Sequence, residues 1–154
     1  MALRYRVLMD PSAVTLILEG IDLIQASRLA QWRRRFTAVE YDDFNPYWPT
    51  VHAKYGRWYC WLAFGVGAEC VLKGAYKSKA VKWTSLGSKA HRWAALGVPP
   101  GEITSLGASI SKLAKRRNEG AHGFVAGVRD AYFSEVEDAY LPALNCVLDV
   151  IGYP

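Results

Sequence analysis

The chain has 154 residues, of which 51% are apolar, with six tryptophans, nine tyrosines and a formal charge of +5. That length suits one domain, residues 1–154, able to bury about two-thirds of the surface its unfolded chain exposes; the apolar content excludes a disordered regulator. The charge is unevenly spread: residues 1–117 carry eighteen Lys or Arg against eight Asp or Glu, whereas residues 118–154 carry one against six. Such a split can steer a polyanion towards one part of the surface.

The opening "MALRYRVLMDPSAV" lacks a signal-peptide core, and no apolar run reaches about 18 residues. Neither export nor membrane spanning is expected, and the expected location is cytoplasmic. Cys60, Cys70 and Cys146 leave an odd thiol and show no CxxC spacing. On one helix Cys60 and Cys70 would stand roughly 15 Å apart along the axis, beyond disulfide reach, so reduced thiols are expected.

Asp10, Pro11 and Ser12 supply turn and cap chemistry. Val14, Ile17, Leu18, Ile21, Ile24 and Leu29 then recur at helical spacing, predicting a first long helix that ends around Trp32 to Phe36. "EYDDFNPYWPT" breaks it with two prolines and an acidic pair. Thr50 can cap a second long helix over 51–79, with Tyr55, Trp58, Tyr59, Leu62, Val66, Glu69, Leu72, Lys73 and Tyr76 near one broad face. Glu69 is the exception on that face and needs a partner: Lys73 at i+4 is one, Arg117 in the folded domain the other. Gly65, Gly67 and Gly74 favour close helix packing, since no strand precedes them to make a phosphate loop.

"TSLGSKAHRWAALGVPPGE" reads as a shorter helix ended by Gly97, with Pro99-Pro100-Gly101 as the next turn. A further helix carries Ile103, Leu106, Ile110 and Leu113. After a loop through "GFVAGVRDAYF", Ser134 and Glu137 form a capping box for the last helix. Its face is Val136, Tyr140, Leu141, Leu144, Val147, Leu148 and Ile151, and Pro142 bends it early. Strand alternation is weak throughout. The expected fold is all-α, an antiparallel helical bundle of four main helices plus a short helix.

Threefold and fourfold steps from Ile103 lead through Leu106, Ile110 and Leu113 to Arg117, which occupies the place where the apolar stripe asks for another leucine. An arginine there keeps its charge, so it must be paired, snorkel to an edge or line a polar cleft. A plainer reading is open: Lys112, Lys115, Arg116 and Arg117 favour the negative end of the helix dipole, Gly120 stops the helix, and His122 is an exposed loop residue.

Arg117-Asn118-Glu119-Gly120-Ala121-His122 resembles the signature of the HEPN superfamily: an arginine, a polar residue often asparagine, three variable residues, then histidine. That family places the motif at the end of a long helix of an all-α bundle, before a C-terminal apolar helix. Here "SLGASISKLAKRRNEGAHGF" precedes "SEVEDAYLPALNCVLDVI" in the same order. Many HEPN domains are metal-independent endoribonucleases, often toxins or antiviral effectors, whose active site forms across a homodimer.

The resemblance implies catalytic roles for Arg117 and His122, with Asn118 as the polar helper and Glu69 in support. It implies RNA as partner, no cofactor, a homodimer, and an antitoxin such as a small nucleotidyltransferase. Histidine can move a proton near neutrality, and arginine can hold a phosphate through two parallel hydrogen bonds. Residues five apart on a regular helix are about 140° out of line, so convergence of Arg117 and His122 requires the helix to end or distort between them, naturally at Gly120.

Lys112, Lys115 and Arg116, with Arg33, Arg34 and Arg35 of "QWRRRF", are the candidate RNA-binding cations; a solvated helix end is the alternative for the second group. The same pair of readings applies to "YKSKAVKW", residues 76–83. His52 and His91 lack carboxylate or cysteine neighbours at metal-ligand spacing, so no metal site is expected. Two other functions stay open beside the nuclease: a non-catalytic HEPN module binding RNA, nucleotide or a partner protein, and a helical scaffold whose aromatic faces drive assembly.

Overall fold

The computed structural model describes residues 9–42, 48–87, 90–122 and 132–154, and within them every side chain except those of 28–42, 48–60, Gly120, His122, Tyr132 and Phe133. All regular elements of the described residues are helical, so the chain is all-α. No helix among them is long and apolar enough to cross a membrane.

Helix α1 runs from Pro11 to Asp42. Asp10 caps it: its Oδ1 accepts from the Ser12 amide at 2.9 Å and its carbonyl from the amide of Ala13 at 2.9 Å. Pro11 fills the first turn, where a missing N–H costs nothing. The helix continues past Phe36, where the apolar period fades. Thr37 to Asp42 contains neither glycine nor proline, and nothing in its backbone chemistry stops the turn from propagating.

Helix α2 spans Trp48–Ser78. It starts before Thr50, which therefore lies inside the helix and does not cap it. Pro49 sits in the first turn, where its locked φ suits a helix start. The α1 and α2 backbones touch through glycines. A Cβ on Gly20 would lie 2.5 Å from the carbonyl oxygen of Gly67, and one on Gly74 would lie 2.7 Å from that of Ala13. Ala13 and Ile17 thus face Gly74, while Gly20 and Ile24 face Gly67, so the two helices run antiparallel.

Helix α2 buries more than the single stripe its periodicity suggests. Trp61, Phe64, Ala68, Val71, Leu72, Ala75 and Tyr76 are all buried, whereas Leu62 and Val66, expected on the inner face, are half-buried. The reason is position: α2 packs against α1 on one side and against α4 and the last helix on another. A helix enclosed this way is apolar nearly all round and shows little one-sided pattern.

Helix α3 is Ala90–Leu96, with Trp93 and Leu96 buried. Gly97 ends it as expected, at φ 97°, a left-handed backbone at which a side chain would be strained. Helix α4, Pro100–His122, begins inside the stretch read as a turn. Pro100 takes the first helical position and leaves the turn to Val98 and Pro99. Leu106, Ile110 and Leu113 are buried along the stripe counted from the sequence. The helix also continues through Gly120 to His122, so the expected break between Arg117 and His122 does not occur there.

The C-terminal segment is already helical at Tyr132. Helix α5, Tyr132–Glu135, passes into a π-helical turn, Val136–Tyr140, and then into α6, Leu141–Ile151. Ser134 lies within α5 and is not the cap of the last helix. The irregularity has a local cause. Pro142 has no N–H for the carbonyl of Asp138 and its ring crowds that carbonyl, so the preceding turn widens. The Leu141 amide accordingly bonds the carbonyl five residues back, Val136. Gly152, at φ 74°, closes α6. Lys112 and Arg116 of α4 reach Glu135, and Glu102 reaches Cys146, which sets α4 antiparallel to the C-terminal helix.

Candidate functional site

Two consecutive arginines at the end of α4 meet opposite circumstances. Arg116 turns towards the C-terminal helix. Its Nε and one terminal nitrogen form a fork on Glu135 at 2.9 and 2.7 Å, the other terminal nitrogen reaches Glu119 at 3.1 Å, and only 16% of the side chain is exposed. Glu135 also accepts from the Tyr140 hydroxyl at 2.6 Å and pairs with Lys112 at 2.9 Å. The guanidinium carbon of Arg116 stands 5.9 Å from the centre of the Trp61 ring, adding a cation–π contact from α2.

The π turn makes this network possible. Glu135 and Tyr140 are five residues apart and would diverge on an α-helix; the wider turn brings the hydroxyl back to the carboxylate. Burial by itself would raise the Glu135 carboxyl, but donors from Arg116, Tyr140 and Lys112, with the charge of Arg116, outweigh it and hold the group down at about 2. Arg116 is bound still more firmly to its proton, chiefly by the bond to Glu135. The Tyr140 hydroxyl is pushed up by burial and then by the same carboxylate.

Arg117 points the other way, to α2. Gly65 receives its stem: a Cβ at that glycine would lie 2.3 Å from Cγ and 2.4 Å from Cβ of Arg117. One helical step on, Glu69 accepts from a terminal nitrogen of Arg117 at 3.4 Å and pairs with Lys73 at 3.1 Å. Both partners considered for Glu69 are therefore present together. The other terminal nitrogen of Arg117 reaches the Asn118 side-chain oxygen at 3.4 Å, and Nε is buried with no hydrogen-bond partner. Both bonds sit at the long limit of the range, and 35% of the side chain remains exposed.

A guanidinium has five N–H donors. Arg116 commits its fork to carboxylates at short distance, whereas Arg117 makes two long contacts and keeps donor capacity in hand. Asn118 is exposed. His122 is the last residue of α4, and its side chain, like those of Arg33, Arg34 and Arg35, lies outside the described side chains. Because α4 continues through Gly120, position 122 stands about 140° round the helix from Arg117 and about 40° from Asn118.

Lys115 is exposed and Lys112 lies at the surface over Glu135. Trp61, Glu119 and Glu135 are not singled out by the sequence. Gly65 reads as a close-packing glycine, which it is against Arg117, and Tyr140 as part of the last helix's apolar face, where its hydroxyl is a signal for a buried polar partner.

A separate cleft of about 260 Å³ opens between the first half of α4 and the C-terminal helix, with Glu102, Ser105, Ser109, Asp138 and Cys146 on its walls. The Cys146 thiol donates to Glu102 at 2.9 Å, and burial first, then that bond, pushes it up to about 11. It is a protonated, weakly reactive thiol at neutral pH. Among the described residues no group of His, Cys, Asp and Glu is arranged to hold a metal ion. No family model, curated protein or solved structure matches the chain.

Proposed function

We propose that the chain is a HEPN-type, metal-independent endoribonuclease acting as a homodimer. The observation that carries this reading is Arg117: it stands in the RNxxxH pattern, is seated over Gly65, and its partly exposed side chain makes two long contacts, beside an arginine held by three shorter ones. An anionic phosphate is the ligand that such a guanidinium accepts best.

In this mechanism Arg117 binds the phosphate and stabilises charge on its equatorial oxygens. His122 moves the proton, taking it from the 2′-hydroxyl or delivering it to the 5′-oxygen. Asn118, at i, i+4 to His122, orients the imidazole. The products are a 2′,3′-cyclic phosphate and a 5′-hydroxyl. One regular helix does not converge Arg117 and His122, so the composite site draws on two copies related by a twofold axis, which supply two of each residue. A place in a toxin–antitoxin or phage-defence system, with a nucleotidyltransferase-like antitoxin, follows from the resemblance alone.

The test is cleavage of labelled single-stranded RNA in EDTA, with end-group analysis and the solution mass. Loss of cleavage in Arg117→Ala and His122→Ala, with cyclic-phosphate ends from a wild-type dimer, supports the reading; equal cleavage by the double variant sinks it. The uninterrupted course of α4 through Gly120 favours a second reading, in which the same module binds RNA, nucleotide or a partner protein without cutting. Binding without cleavage by the wild type selects it.

A further inference from the structure

We propose that the corner formed by the end of α2, residues 79–87 and α3 is a track for single-stranded RNA leading to Arg117. The proposal rests on RNA being the ligand of the Arg117 site, but not on its being cleaved. From Val71 to Gly101 the chain has no Asp or Glu, while Lys73, Lys77, Lys79, Lys82, Lys89 and Arg92 fall within it. Lys77, Lys79 and Lys82 are exposed, and no ion pair among the described residues engages them.

The cations are gathered by a built turn. Ala80 takes a left-handed backbone at φ 54°, the Val81 amide folds back onto the carbonyl of Tyr76 at 2.9 Å, and the Arg92 guanidinium donates to the carbonyl of Lys82. A non-glycine residue in that region is strained, and the surrounding contacts hold it there. Lys77 lies in the last turn of α2, and Lys79 and Lys82 lie on the turn that follows, all three exposed.

Contact by contact, the corner joins the Arg117 site. Arg117 touches Glu69, Glu69 pairs with Lys73 at 3.1 Å, and the Lys73 ammonium lies 5.8 Å from the centre of the Trp83 ring. Trp83 is half-buried, braced edge-on against Tyr76 at 5.3 Å between ring centres, and follows Lys82 directly. A partly exposed indole flanked by lysines is the arrangement that stacks a base while the ammonium groups follow the phosphates. Among the described residues, the carboxylates placed against these cations are Glu69, already shared by two cations, and Asp10, near Lys77. An acidic protein would match the charge, but a half-buried indole beside Lys73 and next to the exposed Lys82 favours a strand with flat bases.

The experiment is fluorescence anisotropy of the full chain with a labelled, unstructured 2′-O-methyl RNA, which offers no free 2′-hydroxyl for cleavage. The triple variant Lys77→Ala, Lys79→Ala, Lys82→Ala should bind at least about tenfold more weakly at low salt, with the slope of log affinity against log salt reduced by about 2. Lysine-to-arginine changes at the same three positions should restore affinity. Arg33→Ala, Arg34→Ala, Arg35→Ala removes the same charge elsewhere and should cost less. Wild-type affinity in the triple alanine variant, an equal loss from the arginine triple, or no binding by the wild type overturns the track. Tight, track-dependent binding together with intact unmodified RNA leaves the track standing and sinks the nuclease reading.

Discussion

The end of α4 and the start of the C-terminal helix each hold a polar pair five residues apart. In the second region the π turn closes Glu135 onto Tyr140 and Arg116 locks the carboxylate from α4. In the first region α4 stays helical through Gly120, so positions 117 and 122 stand about 140° apart round its axis. One region is satisfied within the chain; the other leaves an arginine with donors to give. The contrast separates a polar cluster closed tightly on itself from a looser, partly exposed one, although both are drawn from adjacent residues of similar chemistry.

The sharpest test of the contrast removes each arginine in turn. Arg117→Ala should cost at least about 100-fold in RNA cleavage, the scale of losing one transition-state donor, with the thermal midpoint nearly unchanged. Arg116→Ala should do the reverse. It leaves Glu135 to Tyr140 and Lys112 and removes a two-bond charged pair, which should cost about 1.5–3 kcal/mol in denaturant unfolding. A smaller effect is expected from Gly65→Ala, whose Cβ would collide with the Arg117 stem. Overpacking there should destabilise by about 1–3 kcal/mol and weaken RNA binding by displacing the guanidinium.

Acid should expose the same difference. Glu135 lies at about 2 in the folded chain against an ordinary 4.5. Its contribution is therefore complete above about pH 4.5 and is lost as pH falls through the folded value. Thermal melts of the wild type should decline across that window, and Glu135→Gln should flatten this part of the decline. The smallest change is expected from Glu69→Gln. A partly exposed pair is worth at most about 1 kcal/mol, so stability should barely move. Relief of Arg117 from its carboxylate should tighten RNA binding severalfold, measured by anisotropy.

Parts of the molecule were readable without coordinates because their cause is local. The Asp10 cap, the stop at Gly97 and the stripe Leu106, Ile110, Leu113, Arg117 depend on neighbours within a turn or two, and the structure has them as expected. The end of α1 ran beyond the expected point because weakening apolar period is not a stop signal; only glycine, proline or a cap is. The capping box at Ser134 failed for the opposite reason: a valid local pattern lies inside a helix already under way.

Amino-acid order alone determined an all-α chain, an arginine on an apolar stripe and its neighbours Asn118 and His122. It left Glu69 between two partners and gave no cue to divide the work between Arg116 and Arg117. Tertiary structure decided both. Helix α2 brought Gly65 and Glu69 beneath Arg117, while Pro142 widened a turn that delivered Glu135 and Tyr140 to Arg116. The physical reason is that an ion pair is chosen by distance and desolvation across separate elements, and periodicity within one helix specifies a direction but not what stands opposite it.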